Sequence, residues 1–413
     1  MNDRLSPDEV LVIPARWPGL ALTNIGYGGW RLCLRHGLAD GFQRSNMASS
    51  CGNRTGSLPL YDYVRGQLTT LIQRFGLEAS GADILCCYQT ICKESLAFPV
   101  DRKPPEFSRI NEDGTPFQFA LTLGPHHPTL QFLSEAGIPG SSGVERIARN
   151  RDCIRTLGGV LRCAEAVAEV GQLLDEMAPV TDPDLLADPA GAFWTGVGFA
   201  RGERPQLKIY INARWGHRDG RWKRLHRFAS HFGIVEERWQ ALDSSLVSNM
   251  EPLGMALTLG ETAPLAGRIY LTAYGKPLSY YERLMQPVTD EAFRGAFRRY
   301  TEFILGEDRT YPTRSVVCSF GFGSRAELDF KFELCGHCVF ASDLEAAGRL
   351  RSWLDSTAVD PAPYVELINV LSECRLSASH AYLHSYTGVG VKEHTAYTSL
   401  YLKPKKIRSQ EMR

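Results

Sequence analysis

Five segments of the chain contain two short runs of alternating or β-branched and aromatic residues, separated by turn residues such as Gly124-Pro125. This arrangement is typical of β-hairpins, because side chains two apart on a strand share a face and Gly and Pro favour the connecting turn. The predicted hairpins are Thr115–Ser134, Phe193–Ala213, Met255–Ala273, Ser315–Cys335 and Ala381–Lys403.

The stretches around these hairpins place apolar residues three and four positions apart, as on the buried face of a helix. Ile147, Ile154, Leu157 and Leu161 follow this spacing most clearly. Helical structure is therefore predicted for Leu60–Ser95, Val144–Met177, Arg221–Leu246, Tyr281–Leu305 and Ser342–Cys374.

The second strands of the five hairpins can be superimposed on one another. Their equivalent positions are Gln131, Lys208, Arg268, Lys331 and Ser399, which recur every 60 to 77 residues. A repeat of two helices and a hairpin predicts an α+β fold, with ten antiparallel strands in a single closed β-barrel surrounded by helices, built from ααββ units.

The domain boundaries follow from the same pattern. Residues 1–57 are rich in Gly, Pro, Ser and Asn and are predicted to form an irregular segment packed on the barrel. The barrel is predicted to occupy residues 58–404, and residues 405–413 are predicted to be a C-terminal tail.

Composition narrows the classes of function. The 413 residues include 46 Lys and Arg against 46 Asp and Glu, so no basic excess indicates a nucleic acid or anionic membrane partner. The chain has no apolar run long enough to suggest a membrane span, and its N-terminal residues are acidic and polar where a signal peptide would be basic and then apolar. Eleven scattered cysteines favour free thiols, so a soluble cytoplasmic protein is expected, whose oligomeric state the sequence leaves open.

The repeated second strands present a set of polar side chains on one face. Residues two apart point together, so Lys208 lies beside Tyr210 and Arg268 lies beside Tyr270. The predicted inward set is Gln131, Lys208, Tyr210, Arg268, Tyr270, Lys331, Glu333 and Tyr401. Buried cations need an anionic partner, and one glutamate is too few for three of them, so a bound diphosphate is indicated. The alternative is that these residues form the solvated face of a sheet.

Metal ions usually hold allylic diphosphates through aspartate-rich motifs, since hard oxygen ligands suit Mg²⁺. The chain contains no Asp-Asp dipeptide. If the protein handles a diphosphate, side-chain cations are expected to bear its charge.

Several motifs in this order resemble the dimethylallyltryptophan synthase-type aromatic prenyltransferases, the αββα-barrel family. They are the segment Asn111-Glu-Asp-Gly-Thr-Pro-Phe-Gln-Phe-Ala120, the strands Leu207-Lys-Ile-Tyr-Ile and Gly267-Arg-Ile-Tyr-Leu, and the closing hairpin from His384-Ser-Tyr-Thr-Gly to Thr398-Ser-Leu-Tyr-Leu-Lys-Pro404. The resemblance covers roughly residues 60–404.

The resemblance implies an enzyme that transfers a dimethylallyl or longer prenyl group from its diphosphate to an aromatic small molecule or short peptide. The acceptor is most often the indole of tryptophan, and no essential metal or other cofactor is implied. Diphosphate binding would fall to Lys208, Arg268, Lys331 and Gln131, and the allylic cation would be shielded by Tyr210, Tyr270 and Tyr401, which also contact the diphosphate.

Two positions depart from the family pattern. Gln118 stands where the family usually has a glutamate that accepts the indole N–H and helps to remove the proton. Glutamine accepts a hydrogen bond but is not a base, so either another group removes the proton or the acceptor differs from free tryptophan. Gln131 stands where the family commonly has an arginine.

Two other functions remain open at this point. One is a non-catalytic barrel that binds an anionic or aromatic small molecule, and the other is a terpene-cyclising relative that uses the same cavity without an arene.

A separate motif, Cys335-Gly-His-Cys338, follows the strand that carries Lys331. It resembles a disulfide-isomerase redox site, but no thioredoxin-like order of strands and helices surrounds it. A zinc site from Cys335, His337 and Cys338 would need a distant fourth ligand, and no second Cys or His pair accompanies the motif. Structural thiols are the expected outcome.

Overall fold

The structure is a computed structural model. It describes residues 20–24, 29–34, 58–105, 108–125, 127–188, 191–233, 249–261, 266–306, 316–323, 328–357, 359–373, 376–392 and 394–404.

The described strands are, in chain order, β1 (Leu20–Asn24), β2 (Gly29–Leu34), β3 (Phe117–Leu123), β4 (Thr129–Ser134), β5 (Phe193–Ala200), β6 (Gln206–Asn212), β7 (Glu251–Gly260), β8 (Ala266–Thr272), β9 (Val316–Phe322), β10 (Leu328–Cys335), β11 (Leu376–Ser377), β12 (His384–Lys392) and β13 (Thr395–Leu402).

The described helices are α1 (Leu60–Arg74), α2 (Gly81–Cys92), α3 (Gly143–Val160), α4 (Ala164–Glu169), α5 (Gly171–Met177), α6 (Pro183–Leu186), α7 (Arg218–His231), α8 (Leu278–Met285), α9 (Glu291–Leu305), α10 (Gly336–Val339), α11 (Asp343–Ser356) and α12 (Ala362–Ser372). None of these helices combines the length and the hydrophobicity that crossing a lipid bilayer requires.

The ten strands of the predicted hairpins close into one barrel. Strands β3 to β10 pair in sequence order, β10 then pairs with β12, and β13 closes the ring against β3. All of these pairs are antiparallel. Closure leaves no unpaired edge in this sheet, and it confirms the predicted hairpins and the predicted barrel.

The outward face of the barrel carries the apolar residues. In β6, Leu207, Ile209 and Ile211 have no exposed surface, whereas Lys208 and Tyr210 retain some because they line the lumen. The same alternation occurs in β8 and in β10, where the outward residues Phe330, Phe332 and Leu334 have no exposed surface. The barrel is therefore apolar outside, beneath the helices, and polar inside.

Aromatic contacts hold the helices on this outer face. The ring of Phe332 in β10 lies 5.3 Å from the ring of Tyr281 in α8 and 4.8 Å from that of Phe297 in α9. Both contacts are edge-to-face, a geometry that aromatic rings favour. This packing fixes β10 so that Lys331 and Glu333, on its opposite face, point into the lumen.

Part of the N-terminal segment differs from the prediction of irregular structure. Strands β1 and β2 pair with each other, and β2 also pairs with β11 to make a small three-stranded sheet. The pairing partner at Leu376–Ser377 is distant in sequence, so the local pattern did not reveal it. The structure does not describe residues 1–19, 25–28 and 35–57, or the predicted tail at 405–413. Residues 234–246 of the predicted helical stretch Arg221–Leu246 also lie outside the described residues.

Candidate active site

Side-chain hydrogen bonds that bridge over an intervening strand bring predicted inward residues together. Lys208 on β6 donates from Nζ to Gln131 Oε1 on β4 at 2.7 Å, and Gln131 Nε2 donates to the Tyr210 hydroxyl at 2.9 Å. On the opposite wall, Lys331 donates to the Tyr401 hydroxyl at 2.5 Å. The structure therefore confirms that these residues face a common lumen rather than solvent outside the sheet.

Arg268 on β8 contacts side chains from the next two strands of the barrel, β9 and β10. Its Nη1 donates to Ser319 Oγ at 3.0 Å, and its Nη2 lies 3.8 Å from Asp329 Oδ2. Gly321 makes room for this side chain, since a Cβ at that position would lie 2.5 Å from Arg268 Nη2. The guanidinium is thus placed before any ligand arrives, and its remaining N–H groups are donors for an anion.

Lys331 has both a carboxylate and an aromatic partner. Its Nζ lies 2.7 Å from Glu333 Oε1 and 4.7 Å from the centre of the Tyr401 ring. Both members of the ion pair are buried, with side-chain exposures of 7% and 6%. Burial lowers the pKa of Lys331, and Glu333 opposes that change.

Lys208 differs from the other two cations. Among the described residues it makes no ion pair, and its hydrogen-bond partner is the neutral amide of Gln131. Burial inside the barrel, together with the positive charges of Lys331 and Arg268, lowers its pKa to about 7. A buried ammonium without a carboxylate is unfavourable, so this position is electrostatically prepared for an anionic ligand.

Two pairs of tyrosines line the lumen near these cations. The rings of Tyr210 and Tyr270 lie 6.2 Å apart, and those of Tyr386 and Tyr401 lie 6.4 Å apart. Burial raises the pKa of Tyr210 to about 12 and also raises that of Tyr270 and Tyr401. These phenols therefore stay protonated and offer both a hydroxyl donor and an electron-rich face.

The charge balance of the lumen includes a carboxylate that the sequence reasoning missed. Asp329 faces inward with Lys331 and Glu333 because the three alternate along β10. The same period-two pattern that selected Lys331 would have found it. With Asp329 on Arg268 and Glu333 on Lys331, Lys208 is the one of these three cations that has no carboxylate partner among the described residues.

Gln118 lies in a buried network at one end of the lumen. Asn111 Nδ2 donates to the carbonyl oxygens of Thr115 and Phe117, both at 2.8 Å, so Asn111 Oδ1 must be an acceptor. Gln118 Nε2 donates to that oxygen at 3.1 Å, and Ser385 Oγ donates to it at 2.5 Å. The amide orientation of Gln118 is thereby determined, and its Oε1 makes no hydrogen bond within the described part of the chain.

Other lumen residues were also missed. Ser319 supports Arg268, Tyr386 pairs with Tyr401, and Trp194 pairs with Tyr210 in the register of β5 and β6. The indole Nε1 of Trp194 is buried and has no hydrogen-bond partner among the described residues. Their inward facing follows from strand alternation, but their neighbours depend on the barrel register.

Comparisons with known proteins yield structural matches only. No protein-family model and no curated protein matches the chain. The chain is similar to a 6-dimethylallyltryptophan synthase from Micromonospora olivasterospora, solved in complex with DMASPP and Trp, with a TM-score of 0.73 and 17% identity over 85% of this chain and 99% of that one.

Two further solved structures are similar to the same degree. A 5-dimethylallyltryptophan synthase from Streptomyces coelicolor, also in complex with DMASPP and Trp, has a TM-score of 0.72 and 18% identity, covering 85% of this chain and 96% of that one. The prenyltransferase PriB, in a ternary complex with L-tryptophan and dimethylallyl thiolodiphosphate, has a TM-score of 0.73 and 19% identity, covering 85% and 98%. The chain therefore has the fold of the dimethylallyltryptophan synthase-type aromatic prenyltransferases, as its sequence motifs implied.

Proposed function

We propose that this protein is an aromatic prenyltransferase, which moves a dimethylallyl or longer prenyl group from its diphosphate to an aromatic acceptor. The observation that carries the proposal is Lys208, a lumen cation whose pKa is lowered to about 7 and which has no carboxylate partner among the described residues. Solved proteins of the same fold contain a prenyl diphosphate analogue and tryptophan, which supports both the donor and the acceptor class.

The cations would act on the leaving group. Heterolysis of the allylic C–O bond leaves both bonding electrons on the diphosphate, so its negative charge grows in the transition state. Lys208, Arg268 and Lys331 are fixed by their neighbours at 2.7, 3.0 and 2.5 Å and would meet this charge without reorganising. Gln131 would contribute indirectly, because it positions Lys208 and Tyr210 through two hydrogen bonds.

The tyrosines would protect the allylic cation. The faces of Tyr210, Tyr270 and Tyr401 attract positive charge and exclude the water that would quench it. Their protonated hydroxyls would also donate to diphosphate oxygens, since their pKa values are raised by burial.

Gln118 would orient the acceptor rather than deprotonate it. Its Nε2 is committed to Asn111, so Oε1 is the atom available to accept an N–H such as that of an indole. The arene π electrons form the new bond to the allylic carbon, and the ring proton then leaves to a group other than Gln118, whose amide is not a base.

Turnover is proposed to need no metal, because side-chain cations occupy the role that Mg²⁺ plays beside aspartate-rich motifs. The test is an incubation with dimethylallyl diphosphate, excess EDTA and a panel of indoles, tryptophan and tryptophan-containing peptides. A product heavier than the acceptor by one prenyl unit is expected.

Lys208→Ala should lower kcat/KM by at least about 100-fold, in line with the loss of one electrostatic catalytic donor. Lys223→Ala, on the exposed face of α7, is the matched control and should act as the wild type. Normal turnover by Lys208→Ala would contradict the assignment. Tight diphosphate binding without product across the panel would favour a binding protein, and a hydrocarbon or alcohol product would favour a cyclising enzyme.

A further inference from the structure

A cluster of soft ligands lies at the end of β10, beyond Lys331 and Glu333. Cys335, His337 and Cys338 place their Sγ and ring nitrogen atoms within 4.8 Å of one another. Cys335 is buried, His337 is exposed and Cys338 is partly exposed. The short helix α10 (Gly336–Val339) folds the chain back so that residues 335, 337 and 338 meet.

Two of the separations between ligand atoms are close to those around a tetrahedral zinc ion. Zinc binds sulfur at about 2.3 Å and histidine nitrogen at about 2.0–2.1 Å, which puts a sulfur and a nitrogen ligand about 3.6 Å apart in a tetrahedron. His337 Nε2 lies 3.8 Å from Cys335 Sγ and 3.4 Å from Cys338 Sγ. Cys335 Sγ lies 2.9 Å from His337 Nδ1, nearer than to Nε2, so the imidazole must turn for Nε2 and this sulfur to bind the same ion.

The donor set favours a soft cation. Thiolate and imidazole are the ligands that zinc prefers.

The cluster belongs to the lumen end of the barrel. Cys335 alternates with Glu333 and Lys331 along β10 and pairs with Tyr386 in the register of β12. Lys331 is four residues back, about 13 Å along the strand, so the cluster is separate from the proposed diphosphate position.

We propose that Cys335, His337 and Cys338 form a binding site for a soft divalent metal ion, Zn²⁺, whose fourth position is open to water at the lumen end. Three protein ligands with an open position differ from the closed four-ligand sites of purely structural zinc. The proposal does not depend on prenyl transfer, and the metal has no part in the ionisation of the diphosphate.

The test measures metal binding directly. Reduced full-length protein is stripped with EDTA, desalted and titrated with Zn²⁺ against a competing chelator. Co²⁺ is added separately, because thiolate ligation gives a charge-transfer band and tetrahedral geometry gives intense visible bands. The variants are His337→Ala and Cys338→Ser, which spare buried Cys335, and their thermal unfolding is recorded to show that they are folded. Cys86→Ser, an exposed thiol on α2, is the matched control.

We expect one Zn²⁺ per chain with a Kd below about 1 μM, tetrahedral Co²⁺ spectra, and a loss of affinity of at least about 100-fold in each variant but not in Cys86→Ser. Substoichiometric uptake, or an affinity of His337→Ala and Cys338→Ser equal to that of the wild type, would overturn the site. So would a reduced protein that takes up no metal but forms a Cys335–Cys338 disulfide when treated with oxidised glutathione. Because no substrate is present, a failure of prenyl transfer would leave this result unaffected.

Discussion

Prenyl diphosphate affinity should depend on pH through Lys208. Burial and the charges of Lys331 and Arg268 lower its pKa to about 7 in the free protein, well below the ordinary lysine value. Below that pH the ammonium is already charged and attracts the diphosphate. Above it the free amine is neutral, and since a bound diphosphate favours the charged form, binding must take up a proton. Affinity should therefore fall as the pH rises above 7.

The size of the effect follows from the same pKa. The apparent Kd is multiplied by one plus the ratio of neutral to charged Lys208, which is about 2 at pH 7 and about 100 at pH 9. The loss of affinity between these values is thus about 50-fold, or about 2.3 kcal/mol. Tyr210 does not titrate in this range because its pKa is raised to about 12.

Calorimetric titration with non-hydrolysable dimethylallyl thiolodiphosphate between pH 6 and 9 measures this dependence. Repeating it in buffers of different ionisation enthalpy counts the protons taken up. Lys208→Arg keeps its charge throughout and should lose most of the pH dependence, whereas Lys208→Met should bind weakly at every pH. The ligand's own ionisation is common to all variants, so the comparison isolates Lys208.

Two results would refute this reasoning. One is a wild-type affinity that is equal at pH 7 and pH 9, and the other is a Lys208→Arg variant that depends on pH as steeply as the wild type.

Three further substitutions test other parts of the structure. Gly321→Ala should displace the Arg268 guanidinium and weaken diphosphate binding by about 10-fold in calorimetry. Gly323→Ala is the control, since a Cβ there meets open space, and equal effects of the two changes would contradict a role of Gly321 in making room for Arg268. Glu333→Gln should tighten diphosphate binding several-fold, because it removes a carboxylate that repels the diphosphate, and weaker binding would contradict this role. The same change should destabilise the unliganded protein by about 3–5 kcal/mol in urea unfolding, since Lys331 loses its buried partner. Asp343→Ala should lower the free energy of unfolding by about 2–5 kcal/mol in the same assay, because the Asp343 carboxylate accepts hydrogen bonds from the buried backbone N–H groups of Leu383 and His384 at 2.8 and 3.4 Å. A change below about 0.5 kcal/mol would show that these hydrogen bonds are dispensable.

Much of the fold could be predicted from local pattern. Period-two alternation in Leu207–Asn212 and in its four equivalents shows which residues share a face, and the turn residues show where each hairpin reverses. That is why Lys208, Arg268 and Lys331 could be placed on one surface. The strands at residues 20–24 and 29–34 pair as a local hairpin, which was missed because the Gly-rich composition of this stretch was taken as irregular structure. The further pairing of β2 with β11, more than 300 residues later, is not visible in any local pattern.

The sequence alone therefore determined the hairpins, the helices and the set of side chains that face inward, because backbone geometry repeats every two or 3.6 residues and is visible in a short window. Only the tertiary structure decided which inward charges neutralise each other. Asp329 reaches Arg268, Glu333 reaches Lys331, and Lys208 is left with an amide from a strand 77 residues away. Those partnerships depend on the register at which ten strands close into a ring, and register is a property of distant pairings that no local pattern encodes.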